Sequence, residues 1–343
     1  MNTHTRNDLM QLQMLPLDIK VRMTQIRIKQ WVNEFGTDGV YVSFSGGKDS
    51  TVLLHIVRSM YPDIPAVYVD TGLEYPEIRD FVKSFDNVIW LKPKMNFRQV
   101  INKYGYPFFS KEISHKFNDM YSAHNKGKHS YVDDQLNGTY VSKNGKTNLL
   151  DITKYNFMVK APFKISHMCC NVMKKAPIKE FEKMTGRRGK ITGSMAEESQ
   201  LRLQHWLHDG CNAFKYNTSN PLSFWTEQDI LKYAIENKIQ IASVYGEIVP
   251  DNGREEYAGQ IDISELGLIE DNKPLKTTGC NRTGCMFCGF GCHLEKSPTR
   301  FEKMKITHPK QYEWIMRDCD KGGLGYKNVI DWINKNGNMN IKY

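Results

Sequence analysis

A chain of 343 residues with 40% hydrophobic and 25% charged content is long enough to bury a full core, as one large domain with additions or as two. No run approaches the roughly 18 uninterrupted apolar residues of a bilayer span, and Met1-Asn2-Thr3-His4-Thr5-Arg6 leads into no signal-type apolar stretch, so a cytoplasmic chain with no membrane role is expected. The net charge of +9 suits an enzyme of anionic nucleotides and admits a nucleic-acid partner, although the basic excess is spread over lysines such as Lys111, Lys126, Lys154 and Lys164 with no compact aromatic-basic stripe in the sequence.

The first predicted element is an amphipathic helix over 17–35, its apolar stripe read through Ile19, Met23, Ile26, Gln30 and Phe35. A buried-type strand, Val40-Tyr41-Val42, follows, then Ser43-Phe44-Ser45-Gly46-Gly47-Lys48-Asp49-Ser50, then a helical stretch from Thr51. Strand, glycine turn and helix in that order make a phosphate trap. Gly46 and Gly47 let the backbone turn sharply and aim N–H groups at an anion on the positive end of the helix. Lys48 adds a cation, and Ser45 and Ser50 add hydroxyls. This is not a Walker A loop, because Asp49 follows the lysine and no glycine stands five residues before Gly47. Residues 45–50 resemble the pyrophosphate-binding loop (PP-loop) of the adenine nucleotide alpha hydrolases, a superfamily that holds its nucleotide for chemistry at the α-phosphate.

A second strand over 66–69 ends in Asp70-Thr71-Gly72, at the strand end where open α/β sheets bind ligands. Helical spacing over 75–85, with Pro76 near its start, leads to a third strand over 88–91. Successive strand–helix units argue a parallel sheet covered on both faces. Residues 105–165, with Gly127, Gly138, Gly145 and many lysines, read as an insert, either a lid or a subdomain, with a helix over about 113–123. Trp225 reads as helix-entry packing. Helices are expected after Pro298, over 310–317 and over 327–336. Val329, Ile330, Trp332 and Ile333 pack inward from the last, and His308 is structural.

Eight cysteines are present, four of them in the order C-x4-C-x2-C-x3-C: Cys280, Cys285, Cys288 and Cys292. Inside a cell a metal is expected in preference to disulfides, and four thiolates serve zinc and iron–sulfur alike. Cys169-Cys170 adds a pair that suits one iron–sulfur cubane better than a structural zinc. Cys211 and Cys319 carry no motif and are expected to be buried structural thiols.

Together these motifs resemble the phosphoadenosine phosphosulfate (PAPS) reductase family, from about Val40 to Cys292. Besides the PP-loop and Asp70-Thr71-Gly72, the similarity runs through Cys169-Cys170-Asn171-Val172-Met173-Lys174-Lys175-Ala176-Pro177 and Gly193-Ser194-Met195-Ala196-Glu197-Glu198-Ser199-Gln200-Leu201-Arg202. Asn220-Pro221-Leu222-Ser223-Phe224-Trp225-Thr226-Glu227-Gln228-Asp229-Ile230 and Gly284-Cys285-Met286-Phe287-Cys288 complete it. The resemblance implies an α/β fold, a parallel sheet sandwiched by helices, Rossmann-like and of the adenine nucleotide alpha hydrolase type, with an insert and a Cys-rich C-terminal helical extension. The expected domains are an N-terminal helix (1–36), the nucleotide-binding domain (37–245) and the C-terminal region (246–343).

As site residues it implies Ser43, Ser45, Gly46, Gly47, Lys48, Asp49, Ser50, Asp70, Thr71, Gly72, Gly193 and Arg202 for the nucleotide, with Lys48, Asp49 and Asp70 catalytic and Lys174 and Lys175 as further phosphate contacts. It implies Cys169, Cys170, Cys285 and Cys288 for a [4Fe-4S] cluster. The alternative set is Cys280, Cys285, Cys288 and Cys292, for zinc or iron. The reductases' Glu-Cys-Gly-x-His tail has no counterpart in the residues after Cys292, and Met195 and Ala196 stand where reductases place an arginine. The expected activity is therefore AMP-forming cleavage of ATP, with Mg²⁺, coupled to sulfur transfer from a donor protein. A sulfonucleotide reductase, or a nucleotide-sensing or nucleic-acid-binding subunit without turnover, are the alternatives.

Overall fold

The computed structural model describes residues 3–142, 151–251 and 273–343; Gly145 of the insert lies outside them. The strands in chain order are β1 (Val40–Ser43), β2 (Ala66–Val69), β3 (Val88–Leu91), β4 (Phe108–Phe109), β5 (Gly189–Ile191), β6 (Asn212–Ala213), β7 (Thr218–Ser219), β8 (Ile248–Pro250), β9 (Leu275–Thr277) and β10 (Gly289–Phe290). The helices are α1 (Arg6–Gln13), α2 (Leu17–Phe35), α3 (Lys48–Met60), α4 (Pro76–Lys83), α5 (Phe97–Tyr104), α6 (Lys111–His124), α7 (Tyr131–Asn137), α8 (Met168–Cys170), α9 (Ala176–Thr185), α10 (Gln200–Asp209), α11 (Glu227–Glu236), α12 (Arg300–Thr307), α13 (Pro309–Met316) and α14 (Tyr326–Gly337). The chain forms two compact units. Unit one holds Met1–Asp70, Glu74–Leu91 and Ile178–Thr283; unit two holds Thr71–Leu73, Lys92–Pro177 and Gly284–Tyr343. The boundaries expected from sequence at 36 and 245 fall inside unit one, and the described residues of the insert all fall in unit two.

Unit one is built on a sheet of order β3-β2-β1-β5-β7-β6, parallel except at β6–β7. Strands β1 to β3 are apolar on both faces, as a sandwiched parallel sheet requires. Val40, Val42, Ala66 and Tyr68 face a core shared with Ile28 and Trp31 of α2 and Val52, Leu53 and Ile56 of α3, while Tyr41 and Val67 pack against Phe181 on the opposite side. The chain runs outward from β1 through β2 and β3 and then returns to place β5 on the other flank of β1, in the register Val42↔Ile191. The loops after β1 and β5 therefore meet where the strand order reverses, the position at which open α/β sheets bind ligands.

Helix α2 corrects the stripe read from sequence. Ile26 is exposed, and the buried side chains are Lys20, Thr24, Ile28, Trp31 and Val32. Two polar residues occupy the inner face because each finds a partner there. Lys20 Nζ lies 2.7 Å from Asp229 and donates to the Gln13 carbonyl, and Thr24 Oγ1 accepts from Trp225 Nε1 at 2.9 Å. Trp225 is thus a packing residue, fully buried at the entry to α11.

Unit two joins β4 and β10 in parallel, and separately carries α5 to α8 and α12 to α14. Between α8 and α9 lies a single π turn, Asn171–Lys175. Val329, Ile330 and Ile333 of α14 are buried, as is His308, which bonds Thr307 Oγ1. Cys319 contradicts its expectation. It is exposed, in the turn between α13 and α14 where no helix face covers it, 3.6 Å from the Tyr106 hydroxyl. Cys211 is half-buried and accepts from Ser223 Oγ. Among the described residues no helix is long and apolar enough to cross a membrane.

Candidate active site

The loop after β1 turns at Gly46, whose φ of +72° suits glycine, and a Cβ there would stand 2.7 Å from Val82 Cγ2. Gly47 caps α3 in extended conformation, placing Lys48, Asp49 and Ser50 in the helix's first turn. The serines fold the loop on itself. Ser50 Oγ donates to the Gly47 carbonyl at 2.9 Å and accepts from the Ser45 N–H, while the Gly47 N–H donates to Ser45 Oγ. Ser43 ends β1, half-buried, opposite Val67. Gly193, in the loop after β5, lies so close that a Cβ would sit 3.0 Å from the Asp49 carbonyl oxygen. The two loops at the strand reversal are thus in backbone contact.

The loop's cation is already engaged within unit one. Lys48 is only 3% exposed; its Nζ donates to the Asn281 carbonyl at 2.6 Å and lies 3.0 Å from Glu227. Its backbone N–H donates to Tyr245 Oη at 3.2 Å, and that hydroxyl shares a 2.6 Å hydrogen bond with Thr283 Oγ1. Burial raises the pKa of Tyr245, so the hydroxyl is neutral. Glu227 belongs to the family-like stretch after Trp225-Thr226, whereas none of Tyr245, Asn281 and Thr283 was marked by sequence. They lie far along the chain from the loop, and the only signal was the polar, glycine-bearing tract ahead of Gly284-Cys285.

Asp49 is engaged less closely, with Lys48 Nζ 4.0 Å from its Oδ1. Its Oδ1 is buried without a hydrogen bond, and desolvation raises its pKa, with Lys48 opposing and Glu227 reinforcing. Asp70, by contrast, has its charge balanced. Its Oδ2 accepts from Arg79 Nε at 3.1 Å and Nη2 at 2.9 Å. Arg202 is ion-paired to Glu198, which also accepts from the Met195 N–H and lies 3.5 Å from Arg282. Met195 and Ala196 are buried. Thr71 and Gly72 belong to unit two with Leu73, whose carbonyl accepts from the Met286 N–H.

The cysteines assemble in unit two. The loop bearing Cys285 and Cys288 is pinned on several sides: Tyr326 Oη donates to the Phe287 carbonyl at 2.6 Å, Arg300 Nη1 to the Cys288 carbonyl at 2.7 Å, and β10 runs beside β4. Arg300 is itself held by Glu295. Cys169 and Cys170 lie on α8 with their sulfurs 4.0 Å apart. The hydrogen bond from Cys169 holds the Cys170 thiol below its ordinary range, aided by Lys111, Lys174 and Lys175, and the same bond pushes Cys169 up, with Cys288 and Cys285 adding to it. Cys169 therefore feels the charge of the other three sulfurs, and Cys288 that of Cys170. Cys292 is buried and raised by burial to about 12. Cys280 lies in unit one, where its N–H donates to the Val244 carbonyl, so the alternative set is divided between the units. Among the described residues no three His, Cys, Asp or Glu side chains close on one point as ligands of a metal ion.

A mostly parallel α/β sheet with a glycine-turned loop at its strand reversal defines a nucleotide-binding fold of the Rossmann-like class. Residues 39–107 and 88–289 match the phosphoadenosine phosphosulfate reductase domain, and the chain belongs to that family. It is 43% identical over 61 residues to the phosphoadenosine 5'-phosphosulfate reductase of Buchnera aphidicola subsp. Acyrthosiphon pisum, 18% of this chain and 25% of that one, and 37% identical over 65 residues to that of Xylella fastidiosa, 19% and 27%. An uncharacterised protein of Methanocaldococcus jannaschii is 40% identical over 73 residues, 20% and 18%. The chain thus spans about a quarter or less of the length of these relatives. Among solved structures it is similar to a PAPS reductase from Candida auris in a phosphate complex (TM-score 0.36, 14% identity, 70% of this chain and 91% of that one). It is also similar to the U34-tRNA thiolase NcsA from Methanococcus maripaludis with its [4Fe-4S] cluster (TM-score 0.34, 13% identity, 65% and 66%).

Proposed function

We propose that this family member binds ATP at the 45–50 loop, cleaves it between the α- and β-phosphates, and couples the activated acceptor to sulfur transfer. The observation that carries ATP over a sulfonucleotide is the apolar, buried pair Met195 and Ala196, just after Gly193, which offers no cation to a sulfate. In this reading an acceptor oxygen attacks the α-phosphorus, pyrophosphate departs, and a sulfur nucleophile then displaces AMP. Lys48 and the amides at the start of α3 stabilise the charge that develops on pyrophosphate. Mg²⁺ would neutralise β- and γ-oxygens, and the orphaned Oδ1 of Asp49 fits it better than Asp70, whose charge Arg79 already balances. Glu227, 3.0 Å from Lys48 Nζ, orients that lysine until the nucleotide takes its place.

For the cysteines we propose the set Cys169, Cys170, Cys285 and Cys288. All four lie in unit two, and their mutual electrostatics and the cationic Lys111, Lys174 and Lys175 suit a net-anionic thiolate cluster. A [4Fe-4S] group there would supply a site for activating sulfur. The test is an anaerobic preparation: a blue absorbance band with matching iron and sulfide, lost in Cys169→Ala, is expected, and zinc without the band would set the cluster aside. Pyrophosphate release from ATP, lost in Lys48→Ala, supports the reaction. Sulfite release from a sulfonucleotide would make the protein a reductase instead, and tight nucleotide binding without either product would make it a non-catalytic subunit.

A further inference from the structure

The charge of the chain is divided unequally between its units. By sequence, unit two carries 25 Lys and Arg against 11 Asp and Glu, a net of +14, which leaves unit one at −5 of the total +9. Such asymmetry between parts of one chain is an electrostatic footprint for a polyanion. Part of the excess is concentrated on one layer. Lys126 and Lys128 are exposed in the turn between α6 and α7, and Lys154 and Lys160 are exposed in the 3₁₀ segment Thr153–Lys160, which packs on α7 through contacts such as Asn156 Nδ2 to Asn137 Oδ1. Of the carboxylates of this layer, Asp133 and Asp134 are engaged by His124 at 2.9 Å and His129 at 3.0 Å respectively, and Asp151 accepts from the Thr153 N–H and Oγ1.

Two aromatic rings lie at the ends of α7, in the same layer. Tyr131 is 45% exposed at the start of α7, its ring 6.1 Å from that of Tyr140 and 5.8 Å from Lys116 Nζ. Lysines that track a backbone beside rings that offer a stacking surface are the physical requirements for a strand with unpaired bases. We propose that this face of unit two binds single-stranded nucleic acid, the lysines meeting phosphates and Tyr131 and Tyr140 taking bases. Resting on the function proposed above, this makes a nucleic acid the acceptor of the transferred sulfur.

The experiment uses the full chain and a fluorescein-labelled 20-nucleotide RNA, the same sequence as single-stranded DNA, and polyglutamate as an anion without bases, with anisotropy read across a salt series. Binding of the single strands is expected, with log affinity falling linearly in log salt by about 0.7 per phosphate neutralised. Replacing Lys126, Lys128, Lys154 and Lys160 by glutamine lowers affinity at least tenfold at low salt and flattens the slope, and Tyr131→Ala lowers affinity fivefold or more. Replacing Lys29, Lys183, Lys215 and Lys232 of unit one leaves both unchanged. No binding at low salt, equal binding of polyglutamate, or equal loss in the unit-one variant overturns the proposal. Tighter binding of RNA or of DNA identifies the acceptor. Parallel ATP titration of the unit-two variant separates the ideas: retained ATP binding with lost strand binding supports this face, whereas failure of wild-type ATP binding counts against the nucleotide reading alone.

Discussion

Replacing Tyr245 by phenylalanine separates two roles that the loop contacts combine. The hydroxyl accepts from the Lys48 N–H at 3.2 Å and shares a 2.6 Å bond with Thr283, while the ring lies 5.4 Å from Lys48 Nζ. Phenylalanine keeps the ring and deletes both bonds. Each is worth about 1 kcal/mol net, so folding stability should fall by about 2 kcal/mol, a Tm lower by roughly 5 °C in differential scanning fluorimetry. Nucleotide affinity should move the other way. A phosphate oxygen approaching the Lys48 N–H must displace that hydroxyl in the wild type and meets no such competitor in the variant. One bond of about 1 kcal/mol corresponds to an ATP Kd about fivefold lower by isothermal titration calorimetry. An unchanged or weaker affinity beside the expected loss of stability would show that the hydroxyl contacts the nucleotide and does not stand in its way. An unchanged Tm would refute the hydrogen bonds themselves.

Gly193→Ala should cost about 1–3 kcal/mol and weaken ATP binding together, because its Cβ would meet the unyielding backbone carbonyl of Asp49 at 3.0 Å; thermal denaturation and ATP titration read the two effects. Lys20→Met should cost about 3–5 kcal/mol in urea denaturation, since it leaves Asp229 uncompensated in a buried place, and Asp229 also accepts the Thr226 N–H that caps α11. Glu197→Gln keeps the oxygen that accepts the Glu227 N–H at 2.7 Å and removes a charge disfavoured by burial and by neighbouring Glu227 and Asp229. The folded-state pKa of Glu197 is raised, so its ionised form weakens folding above that pKa and the penalty disappears as the pH falls below the ordinary value of 4.5. The variant's Tm should therefore exceed the wild type's at neutral pH and converge with it near pH 4, and a constant offset would contradict the charge as its origin.

The strands β1 to β3 and the loop after β1 were legible because short apolar runs and paired glycines are local signals. Helix α2 was legible in extent and illegible in facing, since the inward direction of Lys20 depends on Asp229, 209 positions away, and an isolated lysine reads as solvent-exposed. The same limit hid Tyr245 and Thr283, whose importance lies in what they touch. Cys319 misled for the opposite reason. A thiol without a motif is usually buried, but its turn between α13 and α14 gave it no cover.

The meeting of the loops after β1 and β5 bears on how the protein acquires its binding site. Asp49 and Gly193 stand in backbone contact, yet roughly 140 residues separate them, and closing a span of that length is an entropic cost borne before any contact rewards it. The pairing of β1 with β5 is therefore expected late in folding. A nascent chain that has not yet released β5 from the ribosome lacks half of the loop contact, however well β1 to β3 have formed. Nucleotide affinity consequently reports completed folding of the sheet, and ATP added during refolding should shift the final equilibrium without accelerating the early steps.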